Sequence, residues 1–496
     1  MTRDIMKRWS TALIVAAMLA VACGGGFAQE DGPGIESFAA GVEYYENDQL
    51  DQARDAFEAA LEERPDDPTV LVWLGSVSLQ LGDTEAAIEH LTTAIEQDPE
   101  YPVSYNNLGN AWLAAGDLTR AEEQYMKALE LDPEYFDAEY NLANLYARQE
   151  QFERAFNAYN RALEINPNDF EARVSFGHAL RKADEQDKAL REFAAAAELD
   201  PESAEVQTIL GTLHIKGGEV QEAIEAYQAA LAIDPDIVEA HVGLGLALYN
   251  TGEYEEAINH WSSAAELDEG SFAARYNMGL AYEALGDYAG AAEAYAEALK
   301  VRPDDANTLN NLGSALYEQD EAEEASGYFR EAIAANPDLE VAHVNLGLAL
   351  EAAGEGDEAL AQWQEAVTRF PESAAAHAGL ANLHYEQKQY DEALPAYRRI
   401  LELQPDNLEA HNNLGLIYLR RDDLSEAVVH FRNALDIDPD YVYALNNLGV
   451  ALEKQDDLSG ALTQYERALE ADPDYAPAKT NRDRIQRKLG EEGATG

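Results

Sequence analysis

The chain has 496 residues, 46% of them hydrophobic, and its 34 Lys and Arg residues against 95 Asp and Glu residues give a net charge of −61. A charge this negative argues against binding of nucleic acid, or of an anionic membrane surface, by the body of the protein. The acidic, lysine-poor composition would suit a high-salt habitat, and an ordinary acidic, soluble surface accounts for it equally well.

Residues 1–22 are predicted to be an export signal. Arg3, Lys7 and Arg8 precede an uncharged run over residues 9–22, which has the layout of a secretory signal and is short for a membrane span. The run ends in Leu-Ala-Val-Ala-Cys at residues 19–23, a stretch that resembles the lipobox of bacterial lipoproteins. Cys23 would then be the lipidated residue, and residues 23–33 a flexible tether between the lipid and the rest of the protein.

Ordinary signal cleavage after Ala28 is the alternative, and it would release a soluble periplasmic or secreted protein. Cys23 is the single cysteine, so neither alternative leaves a disulfide in the mature chain. Both predict export, with the lipid-anchored form located in the bacterial periplasm or at the outer membrane.

Proline recurs every 34 residues over the rest of the chain, with Glu269 in place of the seventh copy, and this period defines thirteen units over residues 34–475. With the proline taken as position 32, position 20 is Ala in all thirteen units and position 8 is Gly in eleven. Position 27 is Ala in twelve units and position 24 is aromatic in twelve. Small residues at positions 8, 20 and 27 would let paired helices approach closely, and the aromatic ring would fill the remaining space. Gly at position 15 in six units is predicted to end the first helix in a left-handed conformation.

These offsets are similar to those of the tetratricopeptide repeat (TPR), a helix-turn-helix unit. The resemblance spans residues 34–475 and implies an all-α fold, a right-handed α-solenoid (superhelix) of thirteen such repeats, because one repeat cannot bury its apolar face alone. Residues 476–496 would add a C-terminal capping helix and a disordered tail. Ile485 and Leu489 are the predicted apolar contacts of that helix, in a segment rich in Lys and Arg.

Position 6 is asparagine in seven of the thirteen repeats and is the leading candidate for a binding surface. Each helical residue advances 100°, so position 6 should point away from the core positions 4, 7, 8 and 11, toward the concave groove of the resembling family. An amide donates and accepts hydrogen bonds, so a stacked column of amides could hold the backbone of an extended peptide. The pattern resembles the repeat region of the O-linked N-acetylglucosamine transferases, in which such a ladder binds the substrate backbone. The asparagine ladder consists of Asn107, Asn141, Asn277, Asn311, Asn345, Asn413 and Asn447.

The ladder has a competing interpretation, in which gene duplication copied a harmless exposed asparagine. Position 13 lies on the same predicted face and carries Arg148, Lys182 and Lys216 in repeats 4 to 6. These three cations could contact an acidic ligand segment or a C-terminal carboxylate. They could equally serve only to balance the acidic residues around them.

No catalytic or metal-binding motif accompanies the repeats: the sequence has no HExxH, nucleophile elbow, Walker loop or Rossmann fingerprint. The ten histidines fall on the repeat pattern, and His241, His343, His377 and His411 share position 4, which is a packing position. We therefore expect no catalytic residue, no metal site and no cofactor.

The sequence thus predicts a non-enzymatic scaffold or adaptor that is exported and lipid-anchored. It would bind other proteins or extended peptides along its concave groove to assemble envelope or secretion complexes, as the bacterial repeat lipoproteins that it resembles do. The alternative is a non-catalytic targeting or accessory subunit of an enzyme encoded separately. Nucleic acid is not an expected partner, contact with the membrane is expected only through the N-terminal lipid, and self-association is left open.

Overall fold

The computed structural model describes residues 34–495, and within this range the chain forms 27 α-helices and no strand. Thirteen successive helix pairs are followed by one last helix, which confirms the predicted all-α repeat fold with its capping helix. No helix in the described range combines the length and the apolar character that crossing a membrane requires. The predicted signal, tether and lipidated Cys23 lie outside the described residues.

The chain divides into two compact units, an N-terminal unit that ends at Ala240 and a C-terminal unit that begins at His241. We call the first helix of each repeat its A helix and the second its B helix. In the N-terminal unit the A and B helices of repeats 1 to 6 are Ile35–Glu46 and Leu50–Glu63, Pro68–Gln80 and Thr84–Gln97, Pro102–Ala114 and Leu118–Leu131, Phe136–Arg148 and Phe152–Ile165, Phe170–Lys182 and Gln186–Leu199, and Ala204–Gly217 and Val220–Ile233.

The A helix of repeat 7, Val238–Thr251, contains the boundary between the units, and its B helix is Tyr254–Leu267. The helix pairs of repeats 8 to 13 follow in the C-terminal unit, and the capping helix comes last. They are Phe272–Leu285 and Tyr288–Val301, Ala306–Tyr317 and Ala322–Ala335, Glu340–Ala352 and Gly356–Arg369, Ala374–Glu386 and Tyr390–Leu403, Leu408–Arg420 and Leu424–Ile437, Val442–Lys454 and Leu458–Ala471, and Ala476–Thr495.

The turn between the two helices of each repeat is built as predicted. All six glycines at position 15 have positive φ, between 75° and 87°. The other seven repeats place an ordinary residue in the same conformation, which is less favourable because the side chain then crowds the following carbonyl. Where position 16 is Asp, as in Asp287 and Asp457, its carboxylate accepts a hydrogen bond from a backbone N–H in the first turn of the B helix. The seven non-glycine residues are Asp48, Glu150, Asp184, Asp320, Lys388, Asp422 and Asp456.

The glycine at position 8 allows the two helices of a repeat to approach closely. A Cβ added to Gly313 would lie 2.7 Å from the ring of Phe329, and one added to Gly109 would lie 2.5 Å from the ring of Tyr125. Both distances are shorter than any real contact of a Cβ, so the aromatic ring fills the space that the missing side chain leaves. The predicted packing of positions 8 and 24 is therefore confirmed.

The capping helix closes the C-terminal unit through apolar and charged contacts. Ile485 is fully buried and Leu489 packs against the same core, as predicted. Its cations Arg484 and Lys488 both pair with Glu453 of repeat 13, and the Lys488 nitrogen lies 2.9 Å from that carboxylate. Burial acts to raise the pKa of Glu453, but the hydrogen bonds and charges of Arg484 and Lys488 outweigh it and hold that pKa below its usual range.

Within each unit, B helices pack between consecutive A helices, and A helices of successive repeats also contact each other. This arrangement brings positions 5 and 6 of one A helix beside the same positions of the next. The polar side chains at these positions form the site described below.

Candidate functional site

The ladder asparagines lie in the second turn of their A helices and hydrogen-bond across the contact between repeats. In the N-terminal unit, Asn141 Nδ2 donates to Asn106 Oδ1 over 2.9 Å. In the C-terminal unit, Asn345 Nδ2 donates to Asn310 Oδ1 over 3.0 Å. The donor in each case is position 6 of one repeat, and the acceptor is position 5 of the repeat before it.

The last two repeats and the capping helix continue this pattern. Asn447 Nδ2 lies 3.1 Å from Asn412 Oδ1, and Asn481 Nδ2 of the capping helix lies 2.9 Å from Asn446 Oδ1. Asn481 is therefore a further member of the column that the sequence analysis did not identify. The sequence could have identified it, because Asn481 follows Asn447 by one 34-residue period.

Each Asn-Asn doublet also contains a bond of its own, from position 5 to position 6. Asn106 Nδ2 donates to Asn107 Oδ1 over 3.2 Å, and the doublets of repeats 9, 12 and 13 repeat this contact at 3.3 to 3.4 Å. The first asparagine of a doublet thus donates within its repeat and accepts from the next one. We call the resulting network of side-chain amides the amide seam.

Other side chains replace the missing position-5 asparagine in some repeats. Asn311 Nδ2 donates to the hydroxyl of Tyr276, which is position 5 of repeat 8, over 3.3 Å. Burial raises the pKa of Tyr276, so its hydroxyl stays protonated at neutral pH. Asn413 instead donates to the hydroxyl of Tyr397 at 3.1 Å. Asn277 hydrogen-bonds to no other side chain among the described residues.

The two units expose the ladder to different extents. Asn107 and Asn141 in the N-terminal unit are only 7% and 5% exposed, whereas the five ladder asparagines of the C-terminal unit are half-buried. Position 6 was predicted to point away from the core toward the groove, and in the N-terminal pair the adjacent A helix leaves little of the amide exposed. In the C-terminal unit, a ligand can reach the amides beside their seam contacts.

Apolar side chains flank the ladder in the C-terminal unit. Val341 and Leu348, at positions 2 and 9 of repeat 10, are 46% and 42% exposed and lie on the same helix as Asn345. Tyr443, at position 2 of repeat 13, is 53% exposed. Repeat 10 thus has exposed apolar side chains and a ladder amide on the same helix.

The basic column at position 13 lies at the end of three A helices in the N-terminal unit, with all three side chains exposed. Lys182 pairs with Glu150, at position 15 of the preceding repeat, at 2.9 Å. Arg148 and Lys216 form no ion pair with another described residue. Local charge balance thus accounts for Lys182, and two cations remain available to an acidic ligand.

The histidines at position 4 hydrogen-bond to the backbone. Nε2 of His343, His377 and His411 lies 3.0 to 3.2 Å from the carbonyl oxygen of the proline six residues earlier. His411 also contacts His430, with 3.1 Å between their Nδ1 atoms, and burial together with this neighbour and Arg398 lowers the pKa of His430 to about 4. In residues 34–495, no group of three or more His, Cys, Asp or Glu side chains is placed to hold a metal ion.

Comparison with known families identifies repeats along the chain. Residues 276–340, 344–407, 379–442 and 412–476 match the family described as Tetratricopeptide repeat, and residues 211–252 and 247–286 match the family described as TPR repeat. Residues 25–230 match the Cilia and flagella-associated protein 70 C-terminal domain. No curated protein matches the chain.

Similar folds occur among solved structures. YrrB, described as a TPR protein with an unusual peptide-binding site, is 23% identical, covers 39% of this chain and 99% of its own, and has a TM-score of 0.35. The APC/C hetero-tetramer Cut9–Hcn1 is 17% identical over 86% of this chain and 97% of its own, with a TM-score of 0.37. A thermophilic TPR protein of Thermus thermophilus is 25% identical over 37% of this chain and 99% of its own, with a TM-score of 0.33. The repeat period, the packing at positions 8 and 24 and the family matches agree, and the chain is a tetratricopeptide-repeat protein.

Proposed function

We propose that this protein is a scaffold that holds an extended segment of a partner protein against the ladder of its C-terminal unit. Its repeat architecture is that of a protein-interaction scaffold. The observation that carries the proposal is the surface of repeat 10, where the half-buried amide of Asn345 lies on one helix with the exposed side chains of Val341 and Leu348.

The amides keep bonding capacity after the seam is formed. A side-chain amide has two N–H donors and an oxygen that accepts two hydrogen bonds. Asn345 Nδ2 donates to Asn310 Oδ1 at 3.0 Å and to Ser314 Oγ at 3.4 Å, so its amide oxygen keeps both acceptor sites. Asn311 uses one donor and one acceptor site. The remaining groups can pair with the N–H and C=O groups of a peptide backbone, whatever its sequence.

The apolar neighbours would supply the rest of the contact. Alternate side chains of an extended peptide point to opposite sides, so one set can lie on Val341 and Leu348 while the backbone reaches the amides. We expect the bound segment to be apolar and not acidic, because the chain carries a net charge of −61 and would repel a polyanion.

We further infer that the scaffold is exported and tethered by lipid on Cys23. The support is the basic start, the uncharged run over residues 9–22 and the Leu-Ala-Val-Ala-Cys stretch. An intact-mass measurement on the membrane fraction tests this inference. A mature chain that begins at Cys23 and carries lipid is expected, and an unlipidated chain that begins at Gln29 would contradict it.

Cross-linking and pull-down from the native envelope test the binding surface. The variant combines Asn277→Ala, Asn311→Ala and Asn345→Ala, and we expect partner recovery to fall because three rungs of the ladder are removed together. The matched control is Asn310→Ala, which interrupts the amide seam between the same repeats but leaves every ladder amide in place. Unchanged recovery with the triple variant, or an equal loss with the control, would contradict binding by the ladder.

A further inference from the structure

An open pocket of about 360 Å³ lies in the C-terminal unit, between the B helix of repeat 7 and both helices of repeat 8. None of the ladder asparagines, and none of the position-2 and position-9 side chains that flank them, lines it. The pocket is therefore separate from the proposed peptide surface.

Two small residues leave this space open. Position 28 is Leu, Ile or Val in eleven repeats, but in repeat 7 it is Ala265, which lines the pocket. Position 19 of repeat 8 is Gly290, and a Cβ added there would lie 2.8 Å from the ring of Tyr282. The ring of Tyr282 thus lies directly against the glycine and forms one wall.

Repeats 3 and 4 show what occupies the equivalent place elsewhere in the chain. Both have an aromatic residue at position 11 and an arginine at position 19, and the two side chains stack. The guanidinium carbon of Arg120 lies 4.4 Å from the ring centroid of Trp112, and that of Arg154 lies 3.9 Å from the centroid of Tyr146. Repeat 8 keeps the aromatic residue as Tyr282 but has glycine in place of the arginine.

The charge of the pocket favours a cation. Its lining contains three glutamates and one arginine, Arg275. Glu266 and Glu293 are exposed and form no ion pair among the described residues, whereas Glu297 pairs with Lys300. The guanidinium of Arg275 donates to the backbone carbonyls of Ser271 and Ala265, at 3.1 and 3.3 Å, so it is already engaged at the wall.

We propose that this pocket receives an arginine side chain of a partner protein. The incoming guanidinium takes the place that Arg120 and Arg154 occupy in their own repeats, stacks on Tyr282 and pairs with Glu293 and Glu266. A planar guanidinium suits this site better than a lysine ammonium, because it stacks on an aromatic ring and pairs with a carboxylate at the same time. Its methylene stem packs against Met278, which lines the same pocket.

The test uses methyl NMR of the purified protein labelled at methionine, and Met126 and Met278 are the methionines within the repeats. The signal of Met278, assigned by its loss in Met278→Leu, reports on the pocket, and the signal of Met126, 47% exposed on another B helix, reports nonspecific attraction of cations. The probes are the peptide acetyl-Gly-Arg-Gly-amide and its neutral citrulline twin. The arginine peptide is expected to shift the Met278 signal saturably while leaving the Met126 signal in place, and the citrulline peptide should shift neither.

Two variants and a matched control test whether the ring of Tyr282 and the carboxylate of Glu293 contribute to arginine binding. Tyr282→Leu, which installs the residue that position 11 has in four other C-terminal repeats, should weaken arginine binding roughly three- to fivefold, as expected for loss of a partly exposed cation–π contact. Glu293→Gln should weaken it as well without removing an internal ion pair. Tyr146→Leu is the control and should change nothing, because Arg154 already covers that ring. Equal shifts with the citrulline peptide, no shift of the Met278 signal, or unchanged affinity in Tyr282→Leu would each overturn the proposal.

Discussion

The amide seam should stabilise the contact between neighbouring repeats, and Asn412 offers the sharpest test. Its side chain is 6% exposed, accepts from Asn447 at 3.1 Å and donates to Asn413 at 3.3 Å. Asn412→Ala removes both bonds, each worth roughly 0.5–1.5 kcal/mol. Asn447 and Asn413 are half-buried, so water can replace part of the lost hydrogen bonding. Alanine also forms helix better than asparagine by roughly 0.5 kcal/mol, which opposes the loss. We therefore expect the contact between repeats 12 and 13 to weaken by about 1–2 kcal/mol.

Hydrogen exchange is the suitable measurement, because repeat arrays open locally and a single unfolding free energy does not describe them. A weakening of about 1–2 kcal/mol corresponds to roughly 5- to 30-fold faster exchange in the A helices of repeats 12 and 13. The amides of repeats 8 and 9 should not change. Asn259→Ala, at an exposed position within a B helix of the same unit, measures the propensity gain alone.

A double-mutant cycle with Asn447→Ala isolates the bond between repeats. The two substitutions should be non-additive by about 0.5–1.5 kcal/mol, since either one alone removes the 3.1 Å bond between Asn447 and Asn412. Exchange rates within twofold of the wild type for Asn412→Ala, or strictly additive effects, would refute the assignment of a stabilising role to the seam.

Three further substitutions test the repeat packing and its electrostatics. Gly313→Ala should lower the free energy of local opening of repeat 9, measured by hydrogen exchange, by about 1–3 kcal/mol, because its Cβ would meet Phe329. The control Gly327→Ala faces open space and should be stabilising, and equal effects would contradict the account of position 8. Burial raises the pKa of Asp137 to about 6, so the folded state holds that proton more tightly than the unfolded chain and stability should rise as pH falls through 6 toward 4. Asp137→Asn should add about 1–2 kcal/mol at pH 7 and flatten this part of the pH profile, and an unaltered profile would count against it. Asp456→Gly should raise the free energy of local opening of repeat 13, measured by hydrogen exchange, by about 0.5–1 kcal/mol, because φ is 67° there. A decrease would show that the Asp456 side chain contributes more to stability than its backbone strain costs.

Features that depend on one repeat alone could be predicted from the sequence. The pairing of positions 8 and 24 and the left-handed glycines follow from spacing and backbone sterics, and the structure has both. Ile485 and Leu489 of the capping helix were predicted in the same way, from the apolar positions of one helix.

Features that depend on the distance between neighbouring repeats could not be predicted in this way. A helical wheel shows which way Asn141 points from its own axis, but not that the preceding A helix brings Asn106 within 2.9 Å and covers both. The same limit applies to the pocket beside Tyr282, which is formed by Ala265 in one repeat and Tyr282 in the next. Asn277 and Asn141 look identical in sequence, yet only the second is enclosed.

The amide seam has a direction, and this direction constrains how such a chain can evolve by copying its units. In every hydrogen bond between asparagines of different units, position 6 of the later unit donates to position 5 of the unit before it. A doublet has asparagine at both positions, so it can bond to the unit before it and to the unit after it. A unit with asparagine only at position 6 can accept this pairing from the repeat before it but cannot offer it to the next one. Repeats 4, 8 and 10 and the capping helix are units of this kind. Repeats 5 and 11, which follow repeats 4 and 10, have Ser175 and Gly379 at position 6. Duplication of a doublet unit therefore lengthens the row of amides, whereas duplication of a single-asparagine unit ends it. The Asn-Asn doublets of repeats 3, 9, 12 and 13 are therefore the units whose duplication would extend the row.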